Sequence, residues 1–356
     1  MHTRHSAAFT AILAAVLFGA TTPFAKALLG ALSPFMVAGL FYLGSGVGLA
    51  IAILFRRLQR GHSQSVGHPE AHPMPLAEVP WLIGAIAAGG MAGPALLMFG
   101  LNATPAATTS LLLNLEGVFT ALIAWVVFRE NVDAQVFTGM VAIVAGGVLL
   151  SWQPGEGGPG AGALLVAGAC LCWAIDNNLT RKVSNNDAMI IACIKGLVAG
   201  SVNTGIALLS GAAVPGAGLI VASMTAGFAG YGVSLVLFVI ALRHLGSART
   251  GAYFSVAPLF GVAISFSLWP ERPPLFFWIA AALMALGIWL HLRERHVHEH
   301  THDILEHNHR HRHDEHHQHA HDFDWDGSEP HTHPHRHARI THTHAHFPDI
   351  HHRHQH

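Results

Sequence analysis

Charge is scarce in this chain. Only 11% of its 356 residues are Asp, Glu, Lys or Arg, 51% are hydrophobic, and about half of the acids lie beyond residue 292. Such a composition, with mean hydropathy +0.41, leaves too few polar side chains to give every helix a wet face, which excludes an ordinary soluble fold. Cysteine is scarce too. Cys170, Cys172 and Cys193 all fall in apolar stretches. Positions two apart point to nearly opposite sides of a helix, so Cys170 and Cys172 make neither a disulfide nor a metal clamp. Also missing are a P-loop, a nucleophile elbow and a credible catalytic metal motif, so no enzyme and no required cofactor are expected. The stretch His298-Glu299-His300-Thr301-His302 spells HExxH, but in so histidine-rich a segment that match arises by chance.

What the chain does have is long apolar runs. Ten are of membrane-spanning length: 8–29, 35–55, 79–100, 106–128, 136–152, 162–179, 188–209, 219–241, 251–269 and 275–292. Lipid accepts only backbone whose hydrogen bonds close internally, so these runs are expected as helices. The first mimics a signal peptide, with Arg4 ahead of it and Ala25-Lys26-Ala27 as a mock cleavage site. It runs past the length of a signal core and has a counterpart in the second half.

The apolar part occurs twice. LNATPAATTSLLLNLEGVFTALIAWVVFRE, residues 101–130, lies without a gap over LRHLGSARTGAYFSVAPLFGVAISFSLWPE, residues 242–271. Ala107 then meets Ala248, Thr109 meets Thr250, Phe119 meets Phe260 and Glu130 meets Glu271. Repeated helical blocks about a pseudo-twofold axis are a common architecture of secondary transporters. The first unit is placed at 8–152, the second at 161–292, with the Gly/Pro-rich 153–162 segment joining them, and a different kind of polymer fills 293–356. Small-residue pairs such as Gly44 with Gly48, Gly89 with Gly93 and Gly196 with Gly200 predict close helix contacts.

Basic residues set the expected orientation. Arg4, Arg56, Arg57, Arg60, Arg129, Arg181, Lys182, Arg243, Arg249, Arg293 and Arg295 fall on one side of the ten runs, and Arg272 alone on the other. By the positive-inside rule both termini are cytoplasmic, and two units of five crossings insert with opposite orientations. The expected fold is therefore an all-α integral protein of a cytoplasmic (inner) membrane, with ten transmembrane helices in two inverted five-helix repeats and a disordered His-rich C-terminal tail.

Particular motifs resemble the EamA-type transporters of the drug/metabolite transporter superfamily. They are LFGATTPFAK at 17–26, NLEGVFTALIAWVVFRE at 114–130, ALRHLGSART at 241–250 and YFSVAPLFGVAISFSLWPE at 253–271. The resemblance covers residues 8–292 and implies a secondary carrier of small metabolites, often an exporter of amino acids or related compounds. Gly117 stands where the family has a proline, as at Pro258, and an arginine often found near residues 40–42 is missing.

Four ionisable residues lie inside the apolar runs: Lys26, Glu116, Asp176 and Lys195. Each costs at least about 2.5 kcal/mol at a helix centre on insertion scales, so each should face a cavity or a partner. Two acids balance two bases, which would let them neutralise one another across the two units. Lys26 could instead snorkel from its helix end, and Lys195 could serve only as an acid's structural partner. Thr22, beside Pro23, and Asp176-Asn177-Asn178 are expected to break the first and sixth helices at matching places, and Thr109 shares a helical stripe with Glu116. The expected solute path is Thr22, Lys26, Thr109, Glu116, Asp176, Asn177 and Lys195.

The segment from His291 onward holds 24 of the 30 histidines. Many alternate with other residues, which in an extended chain sets imidazoles on one side. The candidate metal ligands are His309, His311, His313, His317, His319 and His321, then His331, His333, His335 and His337, and finally His342, His344 and His346. Neutral imidazole suits Zn, Ni, Co or Cu ions. The segment is too polar to bury a core and is expected to be disordered without metal. Expected partners are a small-molecule solute, the lipid bilayer, divalent metal ions and a second copy of the chain, and not nucleic acid. The competing function is a divalent-metal exporter whose tail collects ions. Against it, the apolar helices hold neither a deep histidine nor paired carboxylates on one helix.

Overall fold

A computed structural model of the protein describes residues 2–60, 75–128, 134–153, 158–180, 183, 187–245, 253–270 and 272–292, together with the backbone of four strands between 297 and 345. The candidate ligands His313, His317, His319, His321, His337 and His346 lie outside the described residues, as do Glu130 and Glu271. Two compact units are distinguished, Met1–Leu292 and Arg293–His356.

Among its described residues the first unit is mainly helical, with a two-residue pairing of β1 (Trp152–Gln153) with β2 (Gly158–Pro159). Its helices are α1 (His2–Leu29), α2 (Pro34–Arg60), α3 (Val79–Ala85), α4 (Gly93–Ala103), α5 (Ala106–Leu112), α6 (Leu115–Phe128) and α7 (Ala134–Ser151). After these come α8 (Ala161–Thr180), α9 (Ala188–Leu209), α10 (Ala217–Gly227), α11 (Ser234–Leu245), α12 (Ala257–Leu268) and α13 (Leu275–Leu292). Local chemistry sets several starts. Asp187 caps α9 by accepting from Met189 N at 2.8 Å. Prolines stand in the first turns of α2, α3 and α12, where the missing N–H has no intrahelical acceptor to lose.

Among the described residues, eight helical spans are long and apolar enough to cross a membrane: 7–29, 34–58, 76–103, 106–127, 134–151, 161–180, 188–209 and 217–241. The ninth and tenth runs give the shorter apolar stretches Ala257–Leu268 and Leu275–Leu290. Bulky apolar side chains cover the surface of these helices. Phe9, Ile51, Val126 and Val221 are each more than 60% exposed. A surface of this kind is stable only against lipid. The protein is a multi-pass membrane protein.

The core is built from Met36, Phe41, Leu97, Met98, Leu101, Leu111, Leu112 and Met284, all almost wholly buried. The most extensive contact is α2 on α9, followed by α7 on α13. At the first seam backbone meets backbone: a Cβ on Gly196 would come within 2.6 Å of Gly46 N. That bears out the close approach expected at Gly196. The remaining contacts come in exchange-related pairs. As α4 lies on α8, so α11 lies on α1; as α6 lies on α8, so α12 lies on α1.

The interruptions differ from those expected. α1 is continuous through Pro23, with Thr21 Oγ1 donating to Phe18 O at 2.6 Å, and α8 is continuous through Asp176-Asn177-Asn178. A single proline removes one backbone donor and leaves the rest of the ladder of α1 in place. Four other places break instead. π-helical segments at Ile86–Ala92 and Phe228–Val233 widen the helices that α3 and α10 begin. Turns at Leu113-Asn114 and Ser255-Val256 break the two copies of the repeated sequence. Each pair is related by nearly the same offset as the sequence repeat.

The tail departs from the expected disorder over four six-residue strands. β3 (Val297–His302) pairs antiparallel with β6 (Ile340–Ala345), and β4 (Glu306–His311) with β5 (His331–Arg336). The alternation of histidine has period two, the side-chain period of a strand.

Candidate functional site

The π segment and its neighbours bring the membrane-embedded charges together. A widened turn leaves main-chain carbonyls short of their i+4 donors, and in an apolar surround each needs another partner. Here side chains supply them. Tyr42 Oη donates to Gly89 O at 2.8 Å and Trp173 Nε1 to the same oxygen at 2.9 Å. Asn203 Nδ2 reaches Gly90 O and Met91 O, each at 3.4 Å. Gly89 is compulsory at its place, because a Cβ there would overlap the Asp176 carboxylate.

Asp176, 5% exposed, forms an ion pair with Lys195 and accepts from Thr180 Oγ1 at 2.9 Å. The next residue of α8, Asn177, donates to Glu116 Oε1 at 2.9 Å and to Thr120 Oγ1 at 3.4 Å. Glu116 is the second residue of α6, directly after the Leu113-Asn114 break. There the unpaired N–H groups of a helix start favour a carboxylate. Glu116 lies within electrostatic reach of both Asp176 and Lys195. Among the described residues its side-chain partner is the Asn177 amide rather than a cation.

Four of the seven expected path residues, Glu116, Asp176, Asn177 and Lys195, thus meet in one polar cluster. The expected charge pairing across the two units is corrected: the ion pair joins α8 to α9, both in the second half. The Asn177–Glu116 hydrogen bond joins the halves at this point, alongside the bonds of Trp173 and Asn203 to the π segment. Lys26 goes elsewhere. Its Nζ donates to Leu101 O at 2.6 Å, Thr104 O at 3.1 Å and Asn102 O at 3.2 Å, where the free carbonyls ending α4 favour a cation. Beside it lies a cleft lined by Pro105, Ala107, Ser265, Phe266 and Trp269. Thr22 and Thr109 are buried, and Thr109 Oγ1 has no hydrogen-bond partner among the described residues.

Tyr42, Trp173 and Tyr231 were not anticipated, whereas Asn203 was expected on the stripe of Lys195. Tyr231 lies in the second π segment with its ring 5.3 Å from Tyr42 and 6.0 Å from Phe18 and from Phe41. The sequence carried two signals: the Gly89-Gly90 doublet, and the rarity of tyrosine, present three times in all. The arrangement offers a carboxylate, a paired cation, amide donors and aromatic faces. Those groups suit a small solute bearing opposite charges. Among residues whose side chains are described, no group of three His, Cys, Asp or Glu could hold a metal ion.

Comparison with known proteins agrees with this architecture. An uncharacterized transporter of Methanothermobacter thermautotrophicus is 27% identical over 289 residues, spanning 78% of this chain and 84% of that protein. A solved structure described only as the crystal structure of a protein shares the fold with a TM-score of 0.56, at 19% identity, over 80% of this chain and 95% of its own. The profile of the EamA-like transporter family matches residues 5–152 and again residues 160–293. With nearly all of the helical unit matched, the chain belongs to the EamA-like transporter family.

Proposed function

We propose that this protein is a secondary carrier that exports small metabolites bearing both an amine and a carboxylate, amino acids or related compounds, across the cytoplasmic membrane. In this reading ten crossings form two inverted five-helix units, 8–152 and 161–292, with both termini cytoplasmic. The exchange-related contacts and the offset-matched breaks support that arrangement, since interrupted helices at corresponding places of two halves line carrier binding sites. One observation carries the solute reading. Glu116 of the first half is bonded by Asn177 of the second, directly beside the Asp176–Lys195 pair. A bound ammonium group would meet the Glu116 carboxylate, and a bound carboxylate would compete for Lys195. Separating the halves must break the Asn177–Glu116 bond, which couples solute contact to the change of access. Lys26 has a structural part in this scheme, tying α1 to the end of α4. The His-rich tail binds divalent ions and adjusts transport without forming the path.

The test is efflux of a panel of labelled amino acids and of Zn, Ni and Co from proteoliposomes holding the purified protein. The expected result is efflux of at least one amino acid, abolished by Glu116→Gln. Movement of metal ions and of no metabolite would replace this reading with that of a metal exporter.

A further inference from the structure

The register of the two tail ladders sorts histidine with a regularity that the sequence alone does not fix. Residues directly opposite in an antiparallel ladder share a face, and alternate residues along each strand change face. In β4/β5, His307 stands opposite His335, His309 opposite His333 and His311 opposite His331. The other face of that ladder carries Glu306, Asn308 and Arg310 opposite Arg336, Pro334 and Thr332. In β3/β6, His298 stands opposite His344 and His300 opposite His342, the third histidine of that face, His302, stands opposite Ile340, and the other face sets Val297, Glu299 and Thr301 against Ala345, Thr343 and Thr341. Five pairs thus set histidine against histidine on one face of their ladder. A slip of one residue would set each of these histidines against a different residue type and destroy all five pairs.

Neither face of these ribbons supplies a reason to hold that register. The reverse faces are mostly polar, and a two-stranded ribbon without a hydrophobic face is marginal in water. Imidazoles set opposite one another repel when protonated and gain little when neutral. A borderline divalent ion changes this balance. Opposed Cβ atoms are about 5 Å apart and successive pairs on one face about 7 Å apart. Two neighbouring pairs thus give four histidine positions on one face at a spacing that suits zinc, which takes four ligands.

We propose that each ladder is a four-histidine site for one Zn, Ni, Co or Cu ion, and that the ion locks the ribbon in register. His298, His300, His342 and His344 serve the first site. Two adjacent pairs among His307–His335, His309–His333 and His311–His331 serve the second. Binding and folding of the tail are then one event. This inference deepens the metal-binding reading of the tail and is independent of which solute the helices carry. It adds His298, His300 and His307 to the expected ligands and gives the ions a count.

The test uses the full-length protein in lipid nanodiscs after chelation, with zinc as the probe. Calorimetric titration should give two tightly bound ions per chain. His300→Asn with His342→Asn should remove one of them, and so should His309→Asn with His333→Asn together with His311→Asn. Register is read separately, by cross-linking cysteines on the histidine-free face of β4/β5 with Cys170, Cys172 and Cys193 replaced by alanine. Zinc should raise the yield several-fold for Arg310→Cys with Thr332→Cys, which are opposed, and leave Arg310→Cys with Arg336→Cys unchanged. Zinc bound with no change in either yield, or with an equal rise in both, overturns the ladder and leaves the tail a metal binder. No tight zinc at all overturns both.

Discussion

Asp176 and Glu116 are neighbouring carboxylates with different partners. Asp176 is opposed by the Lys195 cation and bonded by Thr180, whereas Glu116 is bonded by an amide. The two should therefore respond differently to neutralisation. Glu116→Gln keeps a hydrogen-bonding group beside Asn177 and removes a charge that is bonded to an amide rather than to a cation, so abundance should stay normal while transport stops. Asp176→Asn leaves Lys195 charged and unopposed in an apolar surround, a change that costs about 3–5 kcal/mol for buried pairs. It should lower both abundance and thermal stability in detergent. Adding Lys195→Met should restore the fold and leave transport absent. Equal stability in Asp176→Asn and wild type would mean that the ion pair contributes nothing to the fold. The sequence exposed these residues because charge is so rare in the apolar runs. It did not give their partners, which are set by helix contacts distant in sequence. Lys26 went to the carbonyls ending α4, a target that belongs to the backbone and leaves no side-chain signature.

Eight of the ten expected crossings, with their approximate limits, were legible because lipid demands about twenty apolar residues for each crossing. The breaks were not. Sequence reasoning placed them at Pro23 and Asp176, the most conspicuous residues. The structure puts them at π segments as apolar as the helices around them, and at two turns marked by only one polar residue each, Asn114 and Ser255. Glycine reads best here through what lies next to it. Gly89→Ala should distort the π segment and the Asp176–Lys195 pair, and Gly196→Ala should part α2 from α9. Each should lower the melting temperature measurably. At Gly117 a methyl group would meet nothing within 4 Å among the described residues beyond its own helix backbone, so Gly117→Ala should be neutral or stabilising by up to about 1 kcal/mol, as alanine is the better helix former. A melting series on these three variants separates packing from propensity.

For the whole molecule, a reporter fused after His356 should be active only as a cytoplasmic fusion, and one inserted within 153–160 only as an external one. Activity of both on the same side would end the inverted ten-crossing scheme. Removing residues 296–356 should leave amino-acid efflux intact, because the helical unit satisfies its own backbone, and should abolish its response to zinc. Tail-bound zinc should be retained at neutral pH and lost as pH falls below about 5.5, since metal competes with protons for imidazoles of pKa near 6.5. The strand-period alternation of the tail was visible in the sequence, but only the pairing register sets histidine against histidine.

The glycine seam between α2 and α9 has a consequence for descent. A contact made of main chain carries no record of cargo, so selection for a new solute has nothing to act on there. The side chains around Glu116 and Asn177 can change one at a time without disturbing that seam. Across a set of relatives moving different solutes, substitutions should therefore gather around positions 116 and 177, while positions 46 and 196 stay glycine. Lineages of this carrier would then diverge in diet before they diverge in shape.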